Sequence, residues 1–373
     1  FIHNKIGKFM FRTALYQDHM TSKGKMVDFA GWELPVQYVG VIEEHNHTRS
    51  KAGIFDIGHM GEFIVEGKNA GQAINKLVTC NIETLPVKKC RYGLLTNDQG
   101  GVIDDMITYR LSESKYMIVC NASRQLVDFN WIKSHLPQDV SISNISDDTS
   151  KIDLQGPLSF EVLKKSLGID ATHLKYFEIE VFKFNNKDIT ISRTGYTGEL
   201  GVEIYCDNQS VVAIWQKLLS NPDVLPIGLG ARDTLRLEVG LALYGHELNE
   251  KITPFEAKLD RFVAVETDFI GKNEVLKAKD APKQVLVALE LESKRAAREG
   301  SKILNESGQE IGVVSSGSFG PSVGKAIALG YVKPEYEKLG NKLTIDIGRA
   351  QLSATIVELP FYKEGTARRK LQS

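Results

Sequence analysis

The chain has 373 residues, longer than one hydrophobic core usually serves, so two or three domains are expected. Its 46 lysines and arginines nearly balance 47 aspartates and glutamates, giving a net charge of -1, and hydrophobic residues make up 42%. That is the composition of an ordinary soluble globular protein, and without clustered Lys and Arg it argues against nucleic-acid binding.

Phe1–Met10 carries charges and no long apolar core, so it is not a secretory signal. Met10 reads as a start, with an extension or a disordered tail before it. Val41–Lys51 is polar with apolar positions at helical spacing, and Ala52-Gly53 reads as its C-terminal glycine stop. Glu62–Glu66 reads as a strand. Gly100-Gly101 is a turn into a strand through Tyr109, which pairs with Tyr116–Cys120 through Ser112–Ser114. A helix follows from Ser123 to His135. Ile189–Ser192 and Val202–Tyr205 flank a glycine-rich turn.

The last hundred residues change character. Val285–Leu291, Ile311–Ser315, Ala326–Val332, Leu343–Ile347 and Ala354–Glu358 are short β-branched segments, the pattern of a small all-β barrel or sandwich. The whole therefore reads as α+β, with a boundary near Asp280-Ala281-Pro282. The expected division is 1–275, two interleaved α+β domains, then 283–362, a β barrel, then a tail at 363–373.

No apolar run reaches the roughly 18 residues of a membrane helix, so no membrane partner is expected. Cys80, Cys90, Cys120 and Cys206 are scattered without a C-x-x-C pair, which favours reduced buried thiols over disulfides or a zinc site. No metal is expected. The protein reads as intracellular: bacterial cytoplasm, or the mitochondrial matrix if eukaryotic.

Three stretches carry candidate chemistry. Asp104-Asp105 follow the Gly-Gly turn, and adjacent strand residues point to opposite faces, so only one acid can line a given cleft. The competing reading is a turn cap beside a solvated acid. Thr194–Glu199 followed by Gly201 places three glycines in eight residues around Tyr196, an arrangement that lets backbone approach a ligand. Glu203 is a charge inside a strand, which if inward must be paired or must bind donors. Gly228–Glu238 opens a helix with Arg232 in its first turn, where a cation is disfavoured unless an anion is near. Either a ligand carboxylate or a protein acid such as Asp233 or Glu199 meets that need. His45 and His47, with Glu43 and Glu44, diverge on a helix and read as a solvated face. His59 reads as a hydrogen-bonded structural residue, with no hydrolase triad around it.

In order, the motifs Lys25–Trp32, Gly53–Met60, Gly100–Asp105, Leu154–Pro157, Arg193–Glu199, Gly228–Gly240, Leu243–Gly245, Asp268–Lys272 and Ser315–Phe319 resemble the T-protein family of the glycine cleavage system. The resemblance runs from about Thr13 to Tyr362. It implies a three-domain cloverleaf around a central folate-binding hole. It also implies an aminomethyltransferase that moves a one-carbon unit from the lipoyl arm of an H-protein to tetrahydrofolate, releasing ammonia. Carried over, Asp105 matches the catalytic aspartate, Glu203 the pterin-binding glutamate, and Arg232 the arginine that holds the folate carboxylates. Tyr196 and Tyr92 match positions near the pterin or its aryl group; Arg368 aligns only loosely. Gly58, Leu200 and Gly320-Pro321-Ser322 depart mildly from the family pattern. A folate-dependent demethylase of the same fold and a non-catalytic folate-binding protein are the alternatives.

Overall fold

The computed structural model describes residues 10–371. Residues 1–9, most of the segment read above as an extension, lie outside the described residues.

The turn at Ala30-Gly31, both with positive φ, closes a hairpin of strands Lys25–Phe29 and Trp32–Gln37. The chain then enters a six-stranded sheet at Ala52–Asp56 and leaves it to build a five-stranded sheet from 61 to 144. It returns to complete the first, so the two sheets are interleaved in sequence. The first sheet runs Ile179–Phe184, Lys187–Ser192, Gly201–Asp207, Thr149–Gln155, Ala52–Asp56 and Val224–Pro226, and only its last pair is parallel. The second runs Lys89–Thr96, Val102–Arg110, Lys115–Cys120, Gly61–Glu66 and Ser141–Asn144. The C-terminal strands close into a six-stranded antiparallel barrel between Val285 and Val357. Closure removes the open edges that a sandwich of short strands would leave. Among the described residues no helix is long and apolar enough to cross a membrane.

Each assembly has its own apolar core. Helices Ser159–Leu167 and Asn208–Leu219 cover the first sheet, placing Phe160, Leu163, Ile214 and Trp215 on Ile54, Ile152 and Val202. The second sheet buries Phe63, Ile118 and Cys120 under Ile132. The two sheets meet through Cys90, Tyr109, Met117 and Tyr205. All four cysteines are free and buried.

The helix read over 41–51 runs Val41–Ser50, but Ala52-Gly53 does not cap it. Both residues open a strand, and a Cβ on Gly53 would lie 2.5 Å from Ile227 and 2.6 Å from Thr48. Close packing, not a left-handed φ, requires the glycine there. Nor is this helix a solvated face throughout, since Glu44 and His45 are fully buried. Glu44 Oε1 accepts from the backbone N–H groups of Tyr38, Val39 and Gly40, and Oε2 accepts from Gly228. His45 bridges Thr234 and Ser322 at 2.8 Å each and lies 3.1 Å from Glu238. These partners lie up to 277 residues away, so helical periodicity alone gave no sign of them.

The barrel docks on helix Leu229–Glu238 through Leu237, Leu248, Ile327, Leu329 and Tyr331. Arg236 sits inside that interface. Its Nη1 donates to Glu247 at 2.8 Å and its Nη2 to Ser316 at 2.7 Å, while Ser315 donates to Glu247 at 2.6 Å. Removing one member of a buried pair strands the other charge and costs about 3–5 kcal/mol. Arg236→Met should therefore lower stability by about that amount in urea unfolding, and Arg236→Met/Glu247→Leu by clearly less. Equal losses would show that the ion pair does not hold the barrel.

Candidate functional site

The Gly100-Gly101 turn fixes the start of strand Val102–Arg110. Asn97 Oδ1 accepts from Gln99 and Gly101, Gly100 takes φ +78°, and a Cβ on Gly101 would meet the Glu250 carbonyl oxygen at 1.9 Å. From there the strand sends Asp104 and Asp105 to opposite faces. Asp104 is fully buried and Asp105 half-buried. Asp105 Oδ2 accepts from the Tyr92 hydroxyl at 3.0 Å and Oδ1 from the Asn121 amide at 2.9 Å. Burial, then the neighbouring Asp104 charge, raise its pKa to about 7 against these two donors. Asp105 thus titrates near neutrality, where a carboxyl group can both take and give a proton. Neither acid is a solvated turn cap.

A row of charge crosses the first sheet. Register places Glu203 directly opposite Asp153, with Ser192 and Phe55 on the flanking strands. Two buried acids side by side repel, so neighbouring cations decide their states. Lys151, itself fully buried, stands 3.1 Å from Glu203 Oε2, and Tyr205 donates to the same oxygen at 2.9 Å. Burial pushes Glu203 up, but Lys151 and the hydroxyls outweigh it and hold the carboxyl ionised, below its usual range. Asp153 is raised to about 7 by burial and by the Glu203 charge, with Arg232 opposing at 3.2 Å. Tyr109 of the second sheet also reaches Glu203, at 3.4 Å, so both sheets contribute.

Arg232 is presented by the first turn of helix Leu229–Glu238, as its position predicts. Its protein partner is Asp153, not Asp233 or Glu199. Glu199 instead takes Arg49 at 2.9 Å, and Asp233 takes Arg236 at 2.8 Å. The guanidinium carbon lies 5.0 Å from the Tyr196 ring centroid, within cation–π range. The Tyr196 hydroxyl donates to the Ala242 carbonyl. The glycines around Tyr196 serve the protein itself. Cβ atoms on Gly195 and Gly201 would strike the Gln155 side chain at 2.1 and 2.3 Å, and one on Gly198 would strike Val239 at 2.4 Å.

The five residues singled out in the sequence therefore share one region. Tyr92 bonds Asp105, the charge of Asp105 is felt at Tyr196, Tyr196 stacks near Arg232, and Arg232 pairs the acid opposite Glu203. Arg368 lies 6.0 Å over the Tyr176 ring, where the Glu203 charge is also felt. Sequence reasoning missed Lys151, Asp153, Asn121 and Tyr205. The alternating pattern K-I-D in Lys151–Asp153 was the available signal, since two charges on one face of a buried strand need partners. His59 is buried but not hydrogen-bonded as expected: Nδ1 has no partner, the ring packs edge-on to Phe29, and burial lowers its pKa to about 4.

The Asp105 environment has a sign that can be measured. Its folded pKa lies above the value of 3.8 for an exposed aspartate, so the folded state holds the proton more tightly and stability falls as pH rises from about 4 through about 7. Asp105→Asn removes this dependence. The variant should melt several degrees above the parent at pH 8, with the gap narrowing below pH 7 and closing only near pH 4; a gap independent of pH would contradict the assignment.

A family model described as the GCVT N-terminal domain matches residues 15–267, and one described as the glycine cleavage T-protein C-terminal barrel domain matches 284–363. An aminomethyltransferase of Chloroherpeton thalassium is 41% identical over 354 residues, 94% of this chain and 98% of the relative. One of Staphylococcus carnosus is 42% identical over 355 residues, 93% and 97% of the two chains. The crystal structure of the glycine cleavage system aminomethyltransferase T from Bartonella henselae superposes with a TM-score of 0.91 at 32% identity, covering 97% of this chain and 100% of that one. Over both its sheets and its barrel, the chain belongs to the glycine cleavage T-protein family of aminomethyltransferases.

Proposed function

We propose that this chain transfers the methylene carbon of an aminomethyl group, carried on the lipoyl arm of an H-protein, to tetrahydrofolate. The acceptor loses the hydrogens of N5 and N10 and gains the carbon between them. The carbon–sulfur and carbon–nitrogen bonds of the aminomethyl group break, leaving dihydrolipoyl thiol, ammonia and 5,10-methylenetetrahydrofolate. The two hydrogens lost from folate balance those gained by sulfur and nitrogen.

The observation that carries this reading is Glu203. It is an ionised acid inside a buried strand, and the Lys151, Tyr205 and Tyr109 contacts all fall on Oε2, so Oε1 receives none of them. A pterin presents an amino group and an adjacent ring N–H, donors suited to such a carboxylate. Tyr196 and Tyr92 offer aromatic faces beside it. Arg232 meets Asp153 through Nη1 alone and keeps its other donors for a carboxylate of the folate tail. Asp105, held by Tyr92 and Asn121 and titrating near 7, is suited to accept from a folate N–H. In that place it relays the proton released as nitrogen attacks an iminium-like methylene.

Two variants separate binding from chemistry. Glu203→Gln should weaken tetrahydrofolate binding by roughly tenfold or more, the loss of a charge-assisted hydrogen bond. Asp105→Asn should leave binding within a few-fold while cutting turnover by about 10²-fold or more. Calorimetry and the rate of methylenetetrahydrofolate formation read the two. Unchanged affinity in the first variant, or unchanged turnover in the second, would remove that residue from its role.

A further inference from the structure

Behind Asp105 lies a second acidic group that the transfer chemistry does not use. Asp128, on helix Gln125–His135, is fully buried, and neither of its carboxyl oxygens has a hydrogen-bond donor placed on it. One of its oxygens, one of Asp104 and the Cys120 sulfur lie within 4.8 Å of one another. Asp104 is anchored from the other side. Asn121 donates its backbone N–H to Asp104 Oδ2 and its side-chain amide to Asp104 Oδ1, each at 2.9 Å. The same amide nitrogen donates to Asp105 Oδ1 at 2.9 Å. Asp128 therefore lies against Asp104, and from Asp104 hydrogen bonds run through Asn121 to Asp105 and the Tyr92 hydroxyl.

Two carboxylates this close and this deeply buried do not both stay ionised. The Asn121 donors leave the far side of Asp104 to face Asp128, where the available hydrogens are a carboxyl proton and the Cys120 thiol. Other groups near the acids are few. Arg124 precedes the Asp128 helix, with its Nε buried and unpartnered and its Nη2 on Glu250 at 2.6 Å. Tyr244 lies under that guanidinium, and Glu62 is felt beyond Cys120. Around Asp105 itself stand Tyr92, Asp104 and Tyr196. One cation therefore faces two acids; burial lifts Asp104 well above the usual aspartate range and Asp128 to about 7, so above neutrality the pair is left with one proton and one negative charge.

We propose that Asp104 and Asp128 form a carboxyl–carboxylate pair sharing one proton, and that this pair, acting through Asn121, positions Asp105 and holds a fixed negative charge behind it that favours its protonated form. The inference rests on Asp105 as the proton-handling residue of the transfer reaction. Asp104 and Asp128 are positioning residues; neither touches substrate. The pair explains why two consecutive acids open this strand. One faces the reaction and the other sets the first one's charge.

The arrangement predicts opposite effects from two variants, a pattern that general loosening does not produce. In Asp128→Asn the shared proton is no longer needed, so the charge settles on Asp104, next to Asp105. In Asp104→Asn/Asp128→Asn the charge behind Asp105 is gone. Carboxyl-carbon NMR of the whole chain labelled at aspartate reads the midpoint of Asp105 without reference to activity, with Asp105→Asn identifying its signal. The midpoint should rise by about one pH unit in the single variant and fall by about one in the double. The parent should also show one aspartate carboxyl that stays protonated across neutral pH and is absent from Asp128→Asn. The acid limb of the turnover profile should follow the same two shifts. Folded single-variant protein with an unmoved Asp105 midpoint overturns the inference. Midpoints that shift while the turnover profile stays put would uphold the pair and overturn Asp105 as the proton-handling residue.

Discussion

The structure depends on one constraint: two acids buried opposite each other on adjacent strands, each answered by its own cation. Glu203 faces Lys151 at 3.1 Å and Asp153 faces Arg232 at 3.2 Å. Remove Lys151 and the ionised Glu203 is left as an uncompensated charge in the interior, at several kcal/mol; remove Arg232 and Asp153, already raised to about 7, takes up a proton instead. This row requires strand Thr149–Gln155 beside strand Gly201–Asp207 in fixed register, since a slip of one residue would turn both acids to the other face. It requires helix Leu229–Glu238 to start where Arg232 overhangs the sheet, which Glu44 secures by accepting from Gly228 at 2.7 Å. It also draws in the second sheet, because the Tyr109 hydroxyl reaches both Tyr205 and Glu203.

The same physics separates the two aspartates of the Gly-Gly turn. Their chemistry is identical and their strand positions adjacent, yet the pleat sends one toward Asp128 and the other toward Tyr92. Asp104 is closed off under Asn121, while Asp105 stays half-buried beside the aromatic wall. The turn that sets this register is rigid at three points: the Asn97 side chain, the left-handed Gly100, and the contact of Gly101 with the Glu250 carbonyl. The segment through Glu250 also carries Glu247, which fastens Arg236 and the barrel. Docking of the barrel and placement of Asp105 therefore share one stretch of chain.

Much of this was legible in the sequence. The barrel strands were readable because β-branched runs alternate with Gly, Asn and Pro, although Lys302–Leu304 was too short to register. The hairpin carrying Asp105 was readable because Gly-Gly precedes an apolar run, and Arg232 stood out as a cation in a first helical turn. What stayed hidden was long-range pairing. His45 and Glu44 looked like a wet helix face until Ser322, Thr234 and Gly228 were placed on them. The glycines flanking Tyr196 looked like ligand clearance, whereas Gln155 fills the space beside two of them. Local pattern reports which face a residue occupies; it does not report what a residue 189 positions away brings to that face.

The measurement that tests the central claim most directly is product formation by the purified chain given tetrahydrofolate and H-protein carrying the aminomethyl arm. The account predicts 5,10-methylenetetrahydrofolate with one ammonia released per product. Tetrahydrofolate that binds with no methylene product and no ammonia would contradict it.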